Sequence, residues 1–97
     1  MFSKLKQVQE LRSQANQIKS ALSAEMVEGS GAWGKVKITM DGNQEVKKVA
    51  IDPELLNNKE KLESAIAEAI NDVVKKVQRV MAQKMQSLGG FNLPGMN

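Results

Sequence analysis

Between residues 3 and 23 the apolar positions Val8, Leu11, Ala15, Ile18 and Leu22 recur at steps of three and four. This is the period of one narrow helical face, and its width is that of a seam packed on a single neighbouring helix. Ser3 can cap the start, and no Gly or Pro interrupts the run, so the pattern predicts a first helix over 3–23. The period then changes. Residues 24–29 alternate weakly and run into Gly29-Ser30-Gly31, which predicts a short first strand closing in a flexible turn. Val36, Ile38 and Met40 alternate with Lys35, Lys37 and Thr39, and Asp41-Gly42-Asn43 supplies a hairpin turn. One face of that strand is apolar and the other basic. Val46 to Ile51 forms a third, half-buried strand with lysines on both faces. Asp52-Pro53 reads as N-cap and first residue of a helical turn, with Glu54 near its positive end, and Asn57-Asn58 breaks it.

A last helix is predicted from Asn58 or Lys59 to Leu88, ended by Gly89-Gly90. At 1.5 Å per residue it would be about 45 Å long, more than a three-stranded sheet can cover. Ile66, Ile70, Val73, Val77 and Val80 form its main stripe, continued by Met81, Met85 and Leu88. The part to Val73 is read as core. Beyond it the receiver is either the first helix or a second copy of the chain, so Val77, Val80, Met81 and Met85 are expected at a homodimer interface. The tail 91–97 has no period and is expected to be disordered, leaving 1–90 as one domain.

The size supports a partner chain. A domain of 97 residues with one Trp, two Phe and no Tyr has little large apolar surface for a core of its own. With neither Cys nor His, it has no thiolate or imidazole for metal binding, nucleophilic attack or proton transfer, which argues against an enzyme and predicts no cofactor or metal. No EF-hand spacing surrounds Asp41 or Asp52, and Gly29-Ser30-Gly31 leads into a strand rather than a helix, unlike a phosphate loop. No apolar run reaches the roughly 18 residues of a membrane span, and no small-molecule substrate is implied, so the default expectation is a cytoplasmic protein.

Charge adds a direction to this picture. The chain carries a net +3, distributed as +3 over residues 1–23, −1 over 24–52, −3 over 53–74 and +4 over 75–97. The helix macrodipole accounts for acids at the start of the last helix and bases at its end. It does not account for Lys4, Lys6, Arg12 and Lys19, which are spread along the first helix. Together with Lys75, Lys76, Arg79 and Lys84 they are the candidate phosphate contacts, and double-stranded DNA is the expected partner, because phosphate binding needs only cations held on a rigid element. Lys35, Lys37, Lys47 and Lys48 on the hairpin read as a solvated face or as auxiliary DNA contacts. With Trp33 alone on the sheet, the aromatic pairs that stack single-stranded bases are missing.

The ordered set of segments also carries a resemblance. Glu28-Gly29-Ser30-Gly31, the strand Gly34 to Thr39, the turn Asp41-Gly42, the strand Glu45 to Val49, the exit Ile51-Asp52-Pro53-Glu54-Leu55-Leu56 and Ala69-Ile70-Asn71-Asp72 on the long helix resemble the YbaB/EbfC family of bacterial nucleoid-associated proteins. The resemblance covers essentially the whole chain. It implies an α+β subunit of order α-β-β-β-α, a tweezer-like homodimer whose projecting first and last helices grip DNA with little or relaxed sequence preference, and a place in the nucleoid. Trp33 departs from the small or aliphatic side chain expected there. The alternative from another class is a coiled-coil-like interaction adaptor or chaperone-type dimer, whose positive charge serves only solubility.

Overall fold

A computed structural model of the chain describes residues 2–87, with side chains from Gln9 onward. The order is α1 (Phe2–Ser23), β1 (Met26–Gly31), β2 (Val36–Asp41), β3 (Val46–Ile51), a 3-10 turn (Pro53–Asn57) and α2 (Lys59–Ser87). The strands form one antiparallel sheet in the order β1-β2-β3. This is the expected α-β-β-β-α order with its short helical turn and long last helix. Leu88, the terminating Gly89-Gly90 and the tail 91–97 lie outside the described residues.

Gly29 and Gly31 have a different role from the expected flexible turn. Both lie within β1, paired with Ile38 and Val36. A β-carbon on Gly29 would fall on the backbone and Cβ of Val73, and one on Gly31 on the carbonyl of Ala65. The two glycines therefore let α2 lie directly on the strand backbone, and its small residues Ala65 and Ala69 complete the close approach. The turn comes one step later, where Ala32, Trp33 and Gly34 all have positive φ, 51°, 59° and 89°. Left-handed backbone at Ala and Trp costs on the order of 1 kcal/mol each, and it leaves the Trp33 ring fully exposed at the tip.

The core joins Val36, Ile38 and Met40 of β2 to Leu55 and to Ala65, Ala69, Val73 and Val77 of α2. Fully burying each of these valines contributes about 1.5–3 kcal/mol. Val77, expected at an interface, is thus seated in the chain's own core, because α2 continues along β1 for its whole described middle. β3 also departs from expectation. Its six residues are all exposed, since α2 lies over β1 and β2 and does not reach it. A register shift between Thr39 and Met40 makes Lys47 the extra residue, so Val46 and Val49 share a face despite their odd spacing.

Local chemistry at the remaining joints follows the residues. The Asp52 carboxylate accepts the Glu54 N–H at 2.9 Å as N-cap, as the sequence indicated. Asn58 ends that turn and also starts α2, its Oδ1 accepting the Lys61 N–H at 3.1 Å. Gly42 donates its N–H to the carbonyls of Leu22 and Glu25, pinning the end of α1 to the hairpin turn. From there α1 runs outward, and the molecule measures 64 × 24 × 18 Å along its principal axes.

Candidate nucleic-acid interface

The cations of the chain divide into those neutralised at home and those left free. Lys35 pairs with Glu54 at 3.0 Å, Lys37 with Glu28 at 3.9 Å, and Lys47 with Asp41 and Glu45 at 3.7 and 3.3 Å. Three of the four hairpin lysines are therefore balanced by carboxylates, and Lys48 alone among them has no ion pair with the described residues. Glu54 holds the Lys35 ammonium above its ordinary pKa, first through their hydrogen bond and then through its charge.

On α2 the division falls within the predicted set. Lys76 bridges Asp72 at 3.0 Å and donates to the Glu28 carbonyl at 3.3 Å, while Lys84 pairs with Glu25 at 3.1 Å. Lys76 fastens α2 to β1, and Lys84 fastens it to the residue just ahead of that strand. Lys75 and Arg79 are exposed at i and i+4 on one side of α2, with no ion pair among the described residues. On α1, Arg12 and Lys19 are exposed and equally unpaired among the described residues, and the side chains of Lys4 and Lys6 fall outside them. Of the expected helix contacts, Arg12, Lys19, Lys75 and Arg79 are thus exposed and have no ion pair among the described residues.

Sequence reasoning missed a row on α1. Gln9, Arg12, Ser13, Asn16, Gln17 and Ser20 line one shallow, open depression along its surface. Amides, hydroxyls and a guanidinium in register along a helix can donate to phosphate oxygens and meet base edges, which lysines alone cannot do with selectivity. The signal was present as polar residues at steps of three and four, set opposite the apolar seam. It was obscured because only charge was counted.

Two carboxylates brace this frame. Asp72 accepts the Ser30 N–H at 2.9 Å, and that bond, followed by Lys76, holds its carboxyl below the ordinary aspartate value. Asp41, almost wholly buried, accepts the N–H groups of Asn43 and Glu45 at 2.9 and 3.0 Å. Its pKa is lowered first by the Glu45 bond, then by Asn43 and Lys47 against the opposing effect of burial. Among the described residues no cluster of carboxylates has a metal-binding arrangement, and no helix is long and apolar enough to cross a membrane.

Of the residues expected between copies, Val80 and Met81 are half-buried, and Met85 is exposed near the end of α2. With Val77 in the core they do not make one open stripe.

Comparisons with known proteins bear on the family and the fold. The model of the YbaB/EbfC DNA-binding family matches residues 1–91. The chain is 40% identical over 96 residues to a nucleoid-associated protein of Dictyoglomus thermophilum, spanning 96% of this chain and 92% of that one. A nucleoid-associated protein of Bordetella avium is 37% identical over 92 residues, 93% of this chain and 85% of that one. Among solved structures, a protein of Helicobacter pylori shares the fold with a TM-score of 0.68 at 20% identity, covering 87% of this chain and 98% of that one.

Proposed function

The chain belongs to the YbaB/EbfC DNA-binding family, and from that premise we propose that it is a nucleoid-associated protein that binds double-stranded DNA as a homodimer through α1 and α2. The observation that carries this reading is the set Arg12, Lys19, Lys75 and Arg79, exposed on the two helices and not neutralised by the described residues. Such cations release counterions from a phosphate backbone without reading bases, which gives binding with relaxed sequence preference. Lys4 and Lys6 belong to the same proposed set by their charge and sequence position alone. The place of action is the nucleoid, in the cytoplasm, and the role is architectural, by occupying and bridging DNA rather than by catalysis.

Gel retardation of one duplex by charge-reversed variants tests the reading. Lys75→Glu with Arg79→Glu should lower affinity by tenfold or more while helicity and assembly stay as in the parent. Lys76 is left intact in that variant, because reversing it would break its pair with Asp72 and confuse folding with binding. Lys35→Glu with Lys37→Glu should cost much less, since both lysines already face carboxylates. If only the hairpin variant loses DNA, the basic face of the sheet is the binding surface and the helices are not.

A further inference from the structure

The turn between β1 and β2 carries an aromatic ring that takes no part in the core. Trp33 is fully exposed at its tip, and with Ala32 and Gly34 it forms three successive residues of positive φ. A glycine at position 33 would adopt that backbone without strain and would leave no indole in water, so neither the turn nor the packing calls for Trp. Strained backbone of this kind collects at sites of contact and ligand capture.

Beside the tip lies a cleft of about 480 Å³, lined by Trp33, by the buried Leu55 and Ala65, and by Glu60, Lys61 and Glu68 of α2. Its volume is that of a ligand site, with an apolar base and charge at the rim. Glu60 and Glu68 are both exposed and stand in line on α2, two turns apart. The balance of charge here is negative: Lys35 on the wall is neutralised by Glu54 at 3.0 Å, and Lys59 nearby by Glu63 at 3.7 Å, which leaves Glu60 and Glu68 against Lys61. Glu68 meets the Ala32 N–H only at 3.5 Å, so its carboxylate keeps acceptor capacity to spare.

We propose that this cleft is a docking site for a basic segment of a partner protein, with an arginine laid on the Trp33 ring and paired with Glu68 while an apolar neighbour enters over Leu55 and Ala65. Charge complementarity selects this occupant. A guanidinium stacks on an indole face and pairs with a carboxylate through the same planar group, and exposed Trp is the side chain most suited to it. Trp is also prominent among the residues that carry the energy of protein contacts. DNA is not the occupant, because its phosphates would meet Glu60 and Glu68. Lys75 and Arg79 lie about 20 Å farther along α2, so a protein docked at the cleft leaves them free. The site adds a protein partner to the DNA reading and does not depend on it.

Trp33 is the single tryptophan of the chain, so its fluorescence reports the cleft directly. The probes are two short peptides, one alternating leucine with arginine and one alternating leucine with glutamate. The basic peptide should change the emission saturably and the acidic one should not; no saturable change with the basic peptide overturns the site. Glu60→Gln with Glu68→Gln should weaken the basic peptide by about tenfold. Trp33→Gly removes the ring and relieves the backbone, so it should keep the parent's urea midpoint while binding the peptide about tenfold more weakly in calorimetry. Equal binding by Trp33→Gly would reduce the attraction to bulk charge and overturn the proposal. Duplex affinity of that variant should stay as in the parent; a large loss would make the ring a DNA contact, and higher assemblies of the parent that the variant abolishes would put a second copy in the cleft, either of which overturns it.

Discussion

Gly29 and Gly31 decide more than their size suggests, because each stands where a backbone of α2 would otherwise meet a side chain. Gly29→Ala places a methyl group against the Val73 backbone, which cannot give way as a flexible side chain would. The expected cost is about 2 kcal/mol or more, read as a lowered urea midpoint. Asp41 and Asp72 make the second prediction at this scale. Their folded carboxyls hold protons less readily than unfolded ones, so on acidification the unfolded chain takes up protons first. Their stabilisation is complete at neutral pH and is lost as pH falls below about 4 and through the lowered folded values. In Asp41→Asn the urea midpoint should start lower at pH 7 and fall less steeply between about pH 4 and 2 than in the parent.

The two helices behave as different kinds of element. α2 is built into the sheet along its middle, whereas α1 touches α2 sparsely and is hydrogen-bonded to the hairpin near its end, through Leu22, Gly42 and the Asn43 side chain on the Lys19 carbonyl. Amide exchange should therefore be fast over residues 9–18 and slowest over 65–77, with the α1 amides gaining protection when DNA is added. Slow exchange along α1 without DNA would mean that its Leu11 and Ala15 face is already covered. Arg12→Glu with Lys19→Glu should weaken DNA binding by tenfold or more and move the thermal midpoint by no more than about 2 °C, because exposed side chains without partners contribute little to folding.

For the whole molecule, the geometry converts charge into a measurable slope. In the proposed homodimer the cations Arg12, Lys19, Lys75 and Arg79 would be doubled, and neutralising about six to eight phosphates predicts that log affinity falls with log salt at a slope of about −5 to −7. Affinity should vary modestly among unrelated duplexes. If the row of Gln9, Asn16 and Gln17 meets base edges, their joint replacement by Ala should remove what preference there is.

The alternating Val36, Ile38 and Met40, the Asp52-Pro53 cap and the helical periods of α1 and α2 were legible because each is a local rule, written in residues a few positions apart. The balance of charge toward the two helices was legible for the same reason. Which of those charges remain free was only partly so, since the Asp72 to Lys76 pair is local to α2, whereas Lys76 meets the Glu28 carbonyl and Lys84 meets Glu25 only after β1 is laid along α2. Nor could sequence alone place Val77 in the core and Val49 in the open. Both are valines on amphipathic elements, and the close approach permitted by Gly29 and Gly31 determines which strand α2 covers and which it leaves bare.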